Sequence, residues 1–243
     1  MLSPKPYLQS ISLPPFTSEE DVYPFNIPAI NKLRTLTFHP DVTFFVGENG
    51  SGKSTLLEAI ALAMGFGAEG GTRNVRFQTA DTVSNLYQSI KTTRGFQAPR
   101  DGYFLRAESF YNVATYMDSV GGLESYGLTS LHEKSHGEAF MTLLTNKLRG
   151  DGLYLMDEPE AALSPSRQLA ALTAIDMLVQ DTSQFIIATH SPILLAYPRA
   201  KIILFDENGL SEVEYEDTEH FYITRDFLNN YPRRIEALLK DED

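Results

Sequence analysis

One stretch constrains this chain more than any other. Gly47-Glu48-Asn49-Gly50-Ser51-Gly52-Lys53-Ser54 reads G-x-x-x-x-G-K-S, with a strand pattern before it and a helix pattern after it. Asp41-Val42-Thr43-Phe44-Phe45-Val46 is a short apolar run rich in β-branched and aromatic residues, the mark of a buried parallel strand. From Ser54 to Met64 the apolar residues Leu56, Leu57, Ile60, Ala61 and Met64 recur at helical spacing. The glycines let the loop turn tightly and bring its N–H groups close to an anion, and the helix dipole adds to the attraction. In such a cradle Lys53 reaches the outer phosphates, Ser54 holds Mg²⁺, and Thr55 completes the loop-to-helix turn. A glycine-rich turn without a ligand would not need strand, loop and helix in this order.

A second apolar run, Leu153-Tyr154-Leu155-Met156, stops at two acids, Asp157 and Glu158. Carboxylates at the end of a buried strand are costly unless they have partners or a task. Asp157 is placed to bind Mg²⁺, directly or through water, and Glu158 to act as general base toward water. An ordinary strand end with solvated acids would explain the pair alone, but not the pair together with the loop. Pro159 is expected to end the strand and to hold Glu158 extended. The loop strand and the acid strand are expected to lie side by side in one sheet. Further on, Ser135 with Glu138 three residues later, ahead of an apolar helical run, forms a capping box. Phe185-Ile186-Ile187-Ala188 is another buried strand, followed by Thr189-His190-Ser191-Pro192.

Together and in this order, the motifs resemble those of ABC-type ATPases of the soluble AAA-family and SMC-like branch, over roughly residues 20 to 210. The resemblance implies an α/β P-loop NTPase fold: a mostly parallel core sheet flanked by helices, plus an N-terminal antiparallel β-layer. It implies ATP and Mg²⁺, with Glu158 and His190 as catalytic residues. Lys134-Ser135-His136-Gly137-Glu138 stands where the family usually carries LSGGQ, 22 residues before Asp157 measured from Ser135. Serine and the second glycine match, whereas His136 and Glu138 depart. Ser135 and the Gly137 N–H would then bind the γ-phosphate of a nucleotide on the opposite subunit, a role compatible with capping. Glu160-Ala161-Ala162-Leu163-Ser164 resembles the D-loop that crosses the dimer interface. His190, 32 residues after Glu158, resembles the switch histidine that contacts the γ-phosphate.

Two of the family's positions stay open. The family places a glutamine at a strand end after the P-loop helix. Here Tyr103-Phe104-Leu105-Arg106 leads to Glu108, which by position replaces it as a Mg²⁺ ligand through water, with Gln78 and Gln97 as rivals. Arg106 either pairs with Glu108 or lines the surface. Tyr23 and Phe25 are the candidates for stacking on adenine, although an aromatic in such a place is more often core. ATP over GTP rests on the resemblance, since Asn146-Lys147-Leu148-Arg149 lacks the aspartate of a guanine signature.

At 243 residues the chain is expected to form one ATPase domain over residues 1–243, with a variable insertion at about 66–101 and a helical tail at about 218–243. It has no cysteine, which excludes disulfides, thiolate nucleophiles and zinc ribbons. A net charge of −12 argues against a broad face for duplex DNA. Lys91, Arg94 and Arg100 form a local basic cluster that reads either as a solvated loop or as a patch for nucleic acid or an acidic partner. Met1-Leu2-Ser3-Pro4-Lys5-Pro6 lacks the apolar core of a signal peptide, and the longest apolar runs are strand-length, so a cytoplasmic location without a membrane span is expected. Short strands are expected over residues 7–45, a helix near Thr82–Lys91, a helix over 166–180 opened by Pro165, a hairpin turning at Asn208-Gly209, and two closing helices, Thr218–Leu228 and Pro232–Leu239.

Only 81 residues separate Lys53 from Lys134, which leaves no room for a long coiled coil. The expected activity is ATP hydrolysis that drives head-to-tail homodimerisation. The partner is expected to be an effector protein or nucleic acid, in DNA maintenance or phage defence. Two other readings remain: the ATP-binding subunit of a membrane transporter, and a nucleotide-dependent binding module with little hydrolysis.

Overall fold

Six strands build the main sheet, and their burial explains their order. In the computed structural model, residues 4–14, 22–73, 84–106 and 135–240 are described. The strands β3 (Val42–Gly47), β5 (Asp101–Arg106), β6 (Gly152–Asp157), β7 (Gln184–Ala188), β8 (Ala200–Asp206) and β9 (Gly209–Val213) run in the order β5-β6-β7-β3-β8-β9. Every pair is parallel except β8 with β9. All residues of β3 and β7 are buried, as strands covered on both faces must be.

The period of two sorts their side chains into two cores. Phe44, Met156 and Ile187 pack on one face, with Phe140, Leu143, Ile175 and Leu178. Phe45, Leu155 and Ile186 pack on the other, with Leu56, Leu57 and Ile60. The helices that cover these faces are α2 (Lys53–Ala63) on the second core, and α4 (His136–Thr142) and α5 (Pro165–Gln180) on the first. Short helices α1 (Pro28–Asn31), α3 (Leu86–Ser89) and α6 (Pro192–Leu195) fill corners, and α7 (Glu219–Leu238) closes the chain.

A second, antiparallel sheet has the order β2-β1-β4, from β1 (Leu8–Ser12), β2 (Thr35–Thr37) and β4 (Lys91–Arg94). It is joined to the main sheet by one buried amide. Gln184 Oε1 accepts from Leu8 N at 2.9 Å, while Gln184 Nε2 donates to Leu8 O at 2.9 Å and to His39 O at 3.0 Å. Lys5 adds a second tie, donating to Asp41 Oδ1 at 2.6 Å and to Val179 O at 2.9 Å.

Several expectations need correction. The loop strand β3 and the acid strand β6 are not neighbours, because β7 lies between them. Motifs at strand ends specify chemistry, not strand order, and the wholly buried β7 belongs at the sheet centre. The stretch 66–101 is not simply an insertion, since Lys91–Arg94 pairs along β1 as an edge of the β-layer. The helix expected near 82–91 is, among the described residues, the single turn Leu86–Ser89. The hairpin turns at Glu207-Asn208, with Asp206 opposite Gly209, and Gly209 takes the positive φ of 119°. The two closing helices do form within Glu219–Leu238, parted by a kink at Asn230, whose φ of −128° and ψ of 21° are not helical. Pro165 does open α5 at its first turn. Past Thr142, α4 widens into a π-helical turn, Leu143–Lys147.

Candidate functional site

Parallel strands deliver their carboxyl ends to one edge, which gathers the loop after β3, the acids after β6 and His190 after β7. The loop is shaped by its glycines. Gly47 has φ 140°, and a Cβ there would sit 2.3 Å from the Phe205 carbonyl oxygen. Gly52 has φ 100° and caps α2 in the left-handed region, with the Ile27 side chain 2.9 Å from where its Cβ would be. Any side chain at these two positions would displace the loop.

Lys53 is buried and folded back over the loop, donating to Gly47 O at 2.7 Å and to Glu48 O at 2.8 Å. Burial pulls its pKa below the ordinary lysine value, and the Glu158, Asp157 and Glu48 carboxylates oppose the shift. Ser54 Oγ donates to Asp157 Oδ1 at 2.9 Å, across 103 positions of sequence. Glu158 N donates to Ala188 O at 2.9 Å, but the residue is not extended as expected. Its φ of 49° and ψ of 51° are left-handed. The following proline disfavours the right-handed helical region and leaves this one open, so Glu158 turns sharply out of the sheet. A non-glycine residue held so is strained, and such strain clusters where side chains must be aimed.

His190 Nε2 lies 3.7 Å from Glu158 Oε1, and the His190 backbone N–H donates to Glu160 Oε1 at 2.5 Å. Three buried polar atoms here, Ser51 Oγ, Glu160 Oε2 and His190 Nε2, have no hydrogen-bond partner among the described residues. Buried polar atoms are seldom left so unless a ligand completes them. A cavity of about 580 Å³ opens beside residues Gly47 to Ser51, in the size range of small-molecule sites. A smaller one of about 240 Å³ lies between Glu48, Asn49, His190 and the start of α7. Ser54 and Asp157 suit a hard cation that keeps waters and phosphates as its remaining ligands, as Mg²⁺ does. No cluster of three or more His, Cys, Asp or Glu side chains able to cage a metal is present among the described residues.

A family model described as an AAA domain matches residues 25–109. The chain is 26% identical over 209 residues to the energy-coupling factor transporter ATP-binding protein EcfA2 of Methanospirillum hungatei, a match covering 78% of this chain and 52% of that protein. It thus spans about half the length of that relative. Among solved structures, cbiO1 of Clostridium perfringens, part of the ABC transporter complex cbiONQ, superposes with a TM-score of 0.52 at 16% identity, covering 96% of this chain and 99% of that one. The SMC head domain of Thermotoga maritima matches with a TM-score of 0.43 at 16% identity, over 85% of this chain and 99% of that one. The chain shares the fold of cbiO1.

Within this fold the remaining candidates separate into two groups. Ser135 caps α4, and Gly137 lies in its first turn, against Arg167 of α5 and the Ala162 carbonyl. The capping box is present: Glu138 N donates to Ser135 Oγ at 3.4 Å and Ser135 N to Glu138 Oε2 at 2.9 Å. Arg167 Nη1 donates to Ser135 Oγ at 3.3 Å, and a Cβ on Gly137 would meet Arg167 Nη1 and Ala162 O. Glu108 and its rival Gln78 lie outside the described residues, as do Lys134 and the stretch 109–134 that leads to it. Arg106 pairs with Glu58 of α2 at 2.5 Å. Of the two aromatics, Phe25 is core at 3% exposure, whereas Tyr23 is 59% exposed with its hydroxyl 3.2 Å from Thr55 Oγ1. In the basic cluster, Arg94 donates to Ala63 O and Arg100 pairs with Asp151 at 3.6 Å.

Two residues at the site escaped sequence reasoning. His220, at the start of α7, places Nε2 3.0 Å from His190 Nδ1 and lines both cavities. Arg167, in the first turns of α5, leans over the signature. No motif announces either, because each comes from a helix whose sequence reads only as packing. Among the described residues, no helix is long and apolar enough to cross a membrane.

Proposed function

We propose that the chain, as one ATPase domain, binds and hydrolyses ATP and closes head-to-tail as a homodimer. The observation that carries the reading is the approach of Ser54 to Asp157 at 2.9 Å beneath a loop whose lysine, among the described residues, donates to the loop carbonyls of Gly47 and Glu48. Lys53 exchanges those carbonyls for β- and γ-phosphate oxygens, while the loop N–H groups from Gly47 to Thr55 cradle the phosphates. Ser54 and Asp157 would hold Mg²⁺, which would neutralise charge on the phosphate oxygens. Glu108 is kept as a candidate for a further water-mediated contact. The Glu158 carboxylate takes the proton of the attacking water, and His190 donates from Nε2 toward the γ-phosphate. Tyr23 is the better placed of the two aromatics to meet adenine.

Ser135 and Gly137 sit on a helix start whose N–H groups favour anions, and they complete the site of the other copy. Hydrolysis then weakens the shared contacts and the pair opens. The partner of the closed pair is a cytoplasmic effector protein or nucleic acid. The relation to EcfA2 favours a second reading, an ATP-binding subunit that pairs with a membrane permease.

The test is the mass in solution of Glu158→Gln with and without Mg·ATP, by size exclusion with light scattering. An ATP-driven shift from monomer to dimer is expected. A protein that stays monomeric at saturating ATP would sink the homodimer, and co-purification with a permease would establish the second reading in its place.

A further inference from the structure

The switch histidine is not alone. His220 Nε2 lies 3.0 Å from His190 Nδ1, with ring centroids 5.1 Å apart and planes tilted by 53°. A hydrogen bond between two imidazoles needs one N–H and one lone pair, so the pair has two arrangements. If His190 donates from Nδ1, its Nε2 carries a lone pair. That lone pair would face the Glu158 carboxylate at 3.7 Å and, in the reading above, an incoming phosphate. Both contacts would be repulsive. If His220 donates instead, His190 carries its proton on Nε2, which is buried, unpartnered and aimed at those same acceptors. Electrostatics selects the second arrangement.

His220 is held firmly enough to make that choice. It follows Thr218, the N-cap of α7, which is buried and donates to Tyr215 O at 2.7 Å. The Tyr215 hydroxyl donates to Pro192 O at 2.8 Å, directly after the His190-Ser191 segment. The Tyr215 ring also packs on Phe221 with centroids 4.6 Å apart. The base of α7 is therefore bolted to the switch by backbone, side chain and ring contacts. The charged groups that face the pair are Glu158 and Glu160 on the His190 side, with Lys53, Glu48 and Glu219 on the His220 side.

We propose that His220 is a positioning residue for the nucleotide site: its Nε2–H donates to His190 Nδ1 and fixes His190 as the Nε2–H tautomer with that proton aimed at the γ-phosphate. The assignment rests on the reading of His190 as the phosphate contact, and it makes α7 part of the catalytic apparatus instead of a closing tail.

The test has two readouts. Long-range ¹H–¹⁵N spectra of the nucleotide-free protein, with His190 assigned by its loss in His190→Gln, report the tautomer of each ring; the chain has only 5 histidines. Wild type is expected to show His190 with its proton on Nε2, and His220→Leu to show a mixture. His220→Gln, whose amide can still donate, is expected to keep the wild-type form. ATP turnover should follow: kcat falls roughly three- to tenfold in His220→Leu, the scale of one neutral hydrogen bond, with KM little changed and recovery in His220→Gln. A proton on Nδ1 of His190 in wild type would overturn the proposal, and so would equal behaviour of the Leu and Gln variants in both readouts. If the tautomer depends on His220 while His190→Ala leaves turnover intact, the role of His190 fails and the pairing stands.

Discussion

The loop and the Ser135–Glu138 segment, the two halves of the proposed site, are built in opposite ways. The loop is buried and sterically committed: glycines at φ 140° and 100° where a Cβ would collide, a buried lysine, and buried polar atoms at Ser51 and the adjoining Glu160 and His190 that lack partners among the described residues. The signature at Ser135–Glu138 is largely exposed and self-satisfied, its cap closed by its own Glu138 and covered by Arg167. A half-site with unmet polar atoms is preorganised for a ligand supplied in cis. A half-site that satisfies itself must exchange those bonds for a ligand that arrives with another molecule. The difference supports a site made in two stages, nucleotide first and partner copy second.

The largest effect should come from breaking the first stage. Lys53→Ala removes the only buried cation of the loop and its charge-assisted contacts to phosphate, each worth about 1.5–3 kcal/mol, so ATP affinity should fall by about a hundredfold or more. Titration with a fluorescent nucleotide checks this, and near-normal affinity would refute the loop assignment. Gly47→Ala separates steric from electrostatic causes. Its Cβ would press on the Phe205 carbonyl in a backbone that cannot swing away, and a stability loss of about 1–3 kcal/mol is expected by urea titration.

Breaking the second stage should be milder and of a different kind. Ser135→Ala should leave ATP binding to the isolated chain within about twofold, cost about 1 kcal/mol through the lost cap, and lower dimer-dependent turnover about tenfold. If turnover instead falls only in proportion to stability, Ser135 is a cap and nothing more. Binding, turnover and melting measured on one variant therefore decide between the two readings that the sequence left compatible.

What was legible in the sequence follows the same divide. β3, α2, β6 and β7 were readable because burial on both faces demands unbroken apolar runs, and because glycines and a terminal lysine have few other uses in that arrangement. Strand order was not readable: nothing in Leu153–Asp157 says that Gln184–Ala188 will sit between it and Val42–Gly47. Nor was the left-handed turn at Glu158, since a following proline excludes one backbone region but does not choose between the others. The β-layer was only half legible, as Lys91–Arg94 is a polar edge strand with no alternation to betray it. Gln184, His220 and Arg167 act through long-range contacts, and a single side chain reaching across the fold leaves no local pattern.

The smallest effect sharpens the comparison where the two halves meet, at α7. Burial, then the neighbouring His190 and Lys53, hold the His220 pKa below its ordinary value of 6.5, with Glu219 and Glu48 opposing. A base with a lowered folded-state pKa binds fewer protons folded than unfolded in the window between the two values. Stability therefore rises with pH across that window and is fully present above about 6.5. His39 is lowered by burial as well and adds a slope of the same sign. Urea midpoints at pH about 7.5 and about 5.5 should show wild type losing stability toward acid, and His220→Gln losing less of it, with the His39 share remaining. An unchanged slope in His220→Gln would mean that His220 is not desolvated at the site in solution, and that α7 stands away from the switch. A reduced slope, with ATP abolishing the difference between the two proteins, would place the helix against the nucleotide itself and make the first stage of the site a structure of three elements: loop, switch and α7.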